Sequence, residues 1–186
     1  MPTSVPRVPP LPRAEWEPEV TEILEAMQMG GRVLNIFQTL ARHPKLLKRW
    51  LVFGNHVLLK STLSAREREL LILRTGWNCG AEYEWGQHVV IGKQVGLTDD
   101  EIDRVTRGPD APGWEASDAD LLRAADELHR DSRIGDATWS ALAARYSTQQ
   151  LLAVGVTVGQ YTLVSMARNS LGVQLDEGIA GFPRQR

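Results

Sequence analysis

The stretch that decides the fold is SARERELLILRTGWNCGAEYEWGQHVVIGKQVGLTDDEI, residues 64–102. Ser64 stands three positions before Glu67, and Thr98 stands in the same relation to Glu101; both pairs are capping boxes, in which side chains at a helix start satisfy free backbone N–H groups. Apolar residues recur at helical spacing between them, and Gly80 and Gly96 follow the periodic segments as helix-ending glycines do. The spacing predicts helices over 64–79, 81–95 and 98–107.

The same signals extend in both directions. Ser117, Asp136 and Ser147 or Thr148 each precede a periodic apolar run, Gly108 and Gly172 mark stops, and Gly108-Pro109 with Pro112-Gly113 forms a loop. Further helices are predicted near 18–28, 34–42, 44–60, 117–131, 136–146 and 148–171. No run alternates polar and apolar residues, so the fold class is all-α. Six prolines in the first 18 residues (Pro2, Pro6, Pro9, Pro10, Pro12, Pro18) predict an extended arm, either disordered or laid across a neighbouring subunit. The expected organisation is a proline-rich arm over 1–17, a helical extension over 18–60, a helical core over 61–175 and a tail over 176–186.

Composition narrows the function. The 186 residues carry 21 Lys+Arg against 23 Asp+Glu, a net charge of −2, which removes the basic footprint of a nucleic-acid-binding protein. One cysteine excludes an intrachain disulfide, a four-cysteine zinc site and a dithiol cycle within one chain. A reduced thiol points to the cytosol. The N-terminus lacks the apolar run of a signal peptide. The apolar stretch Leu151–Ala167, broken by Gln160 and Tyr161, falls short of the ~20 residues a bilayer needs, so no membrane partner is expected.

Function is sought in ionisable groups on apolar faces. Glu69 shares its face with Ala65, Ile72, Leu73 and Gly76, so it points into the core. Glu84 and His88, one turn apart, share a stripe with Ala81, Ile91, Gly92 and Val95. Packing these two helices brings two carboxylates and an imidazole into a mostly apolar pocket. Such a cluster serves proton transfer, a metal, or only packing. A Glu-x-x-x-His pair without a second copy departs from the di-iron pattern, so no metal and no cofactor are expected. Cys79 lies off the Glu84–His88 stripe and reads as a small buried residue. His43, His56 and His129 sit beside basic residues and read as solvated.

The segment from Glu69 to His88, followed by Val95-Gly-Leu-Thr-Asp-Asp-Glu-Ile102, resembles the carboxymuconolactone decarboxylase family, which is related to alkylhydroperoxidase D. The resemblance is best over 64–105, and the helix carrying Tyr161 to Gly172 is similar to the family's last helix. It implies an alkylhydroperoxidase D-like helical bundle that assembles as a homo-oligomer, a trimer or hexamer, and takes a small-molecule substrate. The family's peroxidase branch carries Cys-x-x-Cys ahead of the histidine; anchored on His88, those positions hold Ala81 and Glu84. The resemblance therefore implies the decarboxylase branch, with His88 as general acid/base, Glu84 as its proton-sharing partner and Glu69 as a supporting carboxylate. The substrate would be a small cyclic lactone or keto-type carboxylic acid. Tyr161 and Arg168, on one stripe with Thr157 and Ser165, are expected to bind substrate, and Trp77 and Trp85 to wall the pocket. The alternatives are a peroxidase using Cys79 with an external or intersubunit thiol, and a non-catalytic helical oligomer or small-molecule binding protein.

Overall fold

The computed structural model describes residues 5–28 and 31–183; Pro2 of the proline arm and the last three residues of the tail lie outside them. Among the described residues the chain forms α1 (Pro18–Glu25), α2 (Asn35–Leu40), α3 (Pro44–Leu59), α4 (Ala65–Asn78), α5 (Glu82–Gln94), α6 (Asp99–Arg107), α7 (Ala116–Asp131), α8 (Asp136–Ala143) and α9 (Thr148–Leu171), with no strand. The all-α class read from the sequence is the class observed.

The centre of the fold is α4. Leu70, Leu71, Ile72 and Leu73 have no exposure at all. Consecutive helical residues point about 100° apart, so four buried in a row require neighbours around most of the helix. Leu71 packs with Leu121, Ala125, Leu142 and Val158. Leu70 and Leu73 join Trp85, Leu97, Ile102 and Leu122, while Ile72 meets Val57 and Tyr161. Accordingly α4 contacts α5, α6, α7 and α9, and α3 closes over α9 from outside.

Of the five helix starts marked in the sequence by a capping residue, three are capped as expected and two are not. Capping boxes are formed at Ser64/Glu67, Thr98/Glu101 and Ser147/Gln150. However, α7 begins after Glu115 rather than at Ser117, and Asp136 is the first residue of α8, not its cap. The cap of α8 comes from another helix: Glu127 accepts from the Gly135 N–H and the Thr138 hydroxyl, both at 2.8 Å. A cap supplied across the fold leaves no local signature.

The arm also departs from expectation. Residues 5–12 lie on this chain's own α2 and the end of α9: Arg7 and Val8 N–H groups donate to the Leu171 carbonyl, and Leu11 N–H to Gln38. Prolines lack an N–H, so the arm offers carbonyls instead; Arg42 Nε donates to that of Pro9 at 2.7 Å. A 3-10 turn at Arg13–Glu15 interrupts the extended run. The stretch read as too short for a bilayer belongs to α9, whose 24 residues are long and apolar enough to cross one by length and composition alone. Here α9 packs on α3, α4, α5, α7 and α8.

The C-terminal segment crosses α5 at Gly86, where a Cβ would collide with the Ala180 carbonyl and the Ile179 side chain. At Gly76 the nearest atom to a Cβ would be Trp85 N at 3.6 Å, an ordinary contact. Gly86→Ala is therefore expected to destabilise the fold by about 1–3 kcal/mol, whereas Gly76→Ala, in a helix interior, is neutral or stabilising by up to about 1 kcal/mol. Urea denaturation measures both.

Candidate active site

Three helices place the ionisable cluster. α4 aims Glu69 inward, α5 presents Glu84 and, one turn later, His88, and α9 brings Tyr161 and Arg168 across their open side. Exposure is 0% for Glu69, 1% for Glu84, 5% for His88 and 7% for Arg168. Groups this dry must satisfy one another.

They do so as a chain. Arg68 Nη2 stands 3.3 Å from Glu69 Oε1, and Glu69 Oε2 stands 2.6 Å from His88 Nδ1. On the other side of the ring, His88 Nε2 lies 3.0 Å from Glu84 Oε1, and Glu84 Oε2 is ion-paired with Arg168. The Arg168 guanidinium also lies over the Tyr83 ring at 4.5 Å, and the Tyr83 hydroxyl donates to Asp176. Burial pulls the Arg168 guanidinium down to about 10, which leaves it a cation at neutral pH. Burial and the Glu69 carboxylate hold the Tyr161 phenol well above its ordinary value, so it remains a neutral hydroxyl, its ring edge-on to His88 at 4.9 Å.

The geometry shows what this arrangement can do. His88 Nδ1 is hydrogen-bonded to Glu69 Oε2, while Nε2 meets Glu84 Oε1 as a close ion-pair contact. A proton on either ring nitrogen therefore stands within reach of a carboxylate oxygen. Glu69, His88 and Glu84 are thus placed to pass a proton along the chain with little movement of heavy atoms.

One end of the chain meets space. A partly enclosed cavity of about 160 Å³ is lined by Glu84, His88, Tyr161 and Arg168 together with Trp50, Gly54 and Gln160. Glu69 does not line it and reaches it only through His88. Tyr161 and Arg168 thus stand where the sequence reading put them, although Arg168 is occupied by Glu84 instead of being free for a substrate.

Trp77 and Trp85 stand elsewhere. They pack with each other at 5.4 Å and with Phe182 at 5.1 and 5.7 Å, outside the cavity lining. Their apolar rings suit a cavity wall or the core equally; Trp77 on α4 and Trp85 on α5 both pack into the core around Leu70, Leu73 and Leu97. Thr157 lines a separate groove between α3 and α9. Ser165 lies beside Cys79. Cys79, at the carbonyl end of α4, is half-buried, and burial pushes its thiol up. Its Sγ is 3.8 Å from the Nδ1 of exposed His129, a pairing that spacing from His88 had not suggested. Sequence reasoning also missed Trp50 and Gln160; Gln160 had one signal, as a polar break in an apolar stretch.

Residues 44–127 match the model of the Carboxymuconolactone decarboxylase family. No curated protein matches the chain. Among solved structures, an uncharacterized peroxidase-related protein from Ralstonia eutropha JMP134, described as an alkylhydroperoxidase AhpD core, is 19% identical with a TM-score of 0.80, covering 91% of this chain and 93% of its own. An uncharacterized peroxidase-related protein from Silicibacter sp. TM1040 is 18% identical with a TM-score of 0.78, covering 95% of this chain and 92% of its own. A cysteine-to-alanine variant of the debrominase Bmp8, in complex with 2,3,4-tribromopyrrole, is 13% identical with a TM-score of 0.69, each chain covered to 91%. At these identities the structures establish the fold: an alkylhydroperoxidase D-like helical bundle.

Removing one end of the ion chain strands a buried charge. Arg168→Met is expected to cost about 3–5 kcal/mol in urea unfolding, because Glu84 loses its counter-ion in a dry site. Adding Glu84→Gln to that variant should restore most of the loss.

Proposed function

From the premise that residues 44–127 form a carboxymuconolactone decarboxylase family segment on an alkylhydroperoxidase D-like fold, we propose that the chain is an acid–base enzyme acting on a small cyclic keto- or lactone-type compound. The observation that supports this reading is the Glu69–His88–Glu84 chain of buried ionisable groups, which ends on a cavity large enough for one ring. A reaction that makes or quenches an enolate beside a carbonyl needs a group that takes a proton and returns it from a dry site.

The roles follow from position. Glu84 borders the cavity and meets the ligand, His88 exchanges the proton with it, and Glu69 holds the far side of the ring so that Nε2 keeps its direction. Arg168 fixes the second oxygen of Glu84. This shifts the expected division of labour: with both ring nitrogens engaged, His88 acts through Glu84 as much as by itself. A homo-oligomeric assembly, trimer or hexamer, belongs to the same proposal.

Two observations favour this over a thiol mechanism. Cys79 lies outside the cavity lining, and its burial and its place at the carbonyl end of α4 both disfavour the thiolate that peroxide chemistry needs. Its contacts with His129, Ser165 and Thr162 act in its favour, and burial outweighs the two hydroxyls.

Proton exchange at the α-carbon of δ-valerolactone and cyclohexanone in D2O, followed by NMR, tests the reading without knowledge of the natural substrate. The protein should accelerate exchange; Glu84→Gln and His88→Asn should each lower that acceleration by about 10²–10⁴-fold, and Cys79→Ser should leave it unchanged. Exchange at the buffer rate with the unaltered protein, or undiminished exchange in both variants, would exclude the proposal. Loss of activity in Cys79→Ser would move the chemistry to the thiol.

A further inference from the structure

The cavity holds charged side chains and dipoles, and they differ in what they already touch. Every charge bordering it is answered within the protein: Arg168 by Glu84, and His88 by Glu84 and Glu69. Arg168 also feels Asp176 on the far side of Tyr83. The cavity lining contains no other cation. A carboxylate entering this space would lose its water and find no uncommitted counter-charge, a cost of several kcal/mol.

The unanswered groups are of another kind. Gln160 is 4% exposed and keeps its Oε1 buried with no hydrogen-bond partner. Trp50 Nε1 is likewise buried and unpartnered, and so is Arg168 Nε, an N–H on a guanidinium whose charge Glu84 offsets. All three side chains line the cavity. Buried polar atoms without partners are uncommon in native structures because each costs about 1–3 kcal/mol. Three around one space mark where a ligand's own polar groups belong.

Trp50 and Gln160 also face each other across a gap that the sequence keeps open. A Cβ at Gly54 would lie 3.5 Å from Gln160 Nε2 and 3.7 Å from the Trp50 ring, so the glycine leaves this end of the cavity unfilled. Phe37, its ring centroid 6.2 Å from that of Trp50, packs on the indole and lines the same cavity. Volume sets the ligand's size, since a cavity of ~150 Å³ accommodates a benzene-sized ring.

We infer that the cavity selects a neutral five- or six-membered ring carrying both a carbonyl and a hydroxyl or N–H, the carbonyl accepting from Trp50 Nε1 and the donor bonding to Gln160 Oε1. The inference rests on the acid–base reading only for the location of the site. It names Trp50, from α3, and Gln160, from α9, as specificity-determining residues, and it sets a neutral ligand in place of the carboxylic acid that the family resemblance implies.

Calorimetric titration with three probes of similar size tests it: δ-valerolactam offers donor and acceptor, cyclohexanone an acceptor alone, and cyclohexanecarboxylate an anion. δ-Valerolactam should bind roughly tenfold more tightly than cyclohexanone, the value of one added hydrogen bond, and the carboxylate most weakly. Gln160→Leu should abolish the preference for the lactam over the ketone, and Trp50→Phe should weaken lactam and ketone alike. Tightest binding of cyclohexanecarboxylate, equal binding of lactam and ketone, unchanged preference in Gln160→Leu, or no binding of any probe at millimolar concentration would overturn the inference. Because binding is read directly, an inactive protein that still prefers the lactam would remove the catalytic reading and leave this one standing.

Discussion

A histidine whose two ring nitrogens both meet buried carboxylates is the constraint around which this molecule is organised. The contacts of 2.6 and 3.0 Å commit Glu69, His88 and Glu84 to one another, and neither carboxylate can be left over in a dry site. Arg68 and Arg168 close the chain at its ends. Satisfying it requires α4, α5 and α9 to hold one relative placement, and the apolar side chains of α4, buried on every side, supply the rigidity that keeps it. Packing and polar satisfaction therefore act together here. The apolar contacts bring the groups near, and the groups permit only one arrangement of the contacts.

On the proposed reading, the same pairing separates two functions within one cavity. Charges that have been neutralised in pairs are suited to holding and moving a proton, because none of them is drawn off to bind a ligand's charge. Neutral dipoles left without partners are suited to recognition, because a ligand that completes them gains what water cannot supply in a closed space. Glu84 and His88 belong to the first set, Trp50 and Gln160 to the second. The thiol of Cys79 belongs to neither, standing apart from the cavity beside an exposed histidine.

Much of the fold is legible in local sequence because its determinants are local. Ser64 with Glu67 and Thr98 with Glu101 mark helix starts that the backbone obeys, and the placement of Glu69 and of the Glu84–His88 pair on apolar faces follows from helical spacing alone. What escapes is set by contacts between distant segments. The cap of α8 comes from Glu127 on α7, the proline arm lies on α2 and the end of α9, and Trp50 reaches the cavity only because α3 folds over α9. Trp77 and Trp85 show the converse limit: a large apolar ring marks burial but does not tell a cavity wall from the core, and both lie in the core. Arg168 was legible as a buried cation, but its pairing with Glu84, and hence its unavailability to a substrate, depends on how α9 meets α5.

The central claim is that the His88 ring holds a buried carboxylate at each nitrogen, Glu69 at Nδ1 and Glu84 at Nε2. Nitrogen-15 and proton NMR of the His88 imidazole tests this most directly. The account expects a hydrogen-bonded, strongly downfield proton coupled to or closely associated with each of Nδ1 and Nε2, both lost in His88→Asn. A spectrum in which one ring nitrogen carries a free lone pair, with a bonded proton at the other alone, would contradict it.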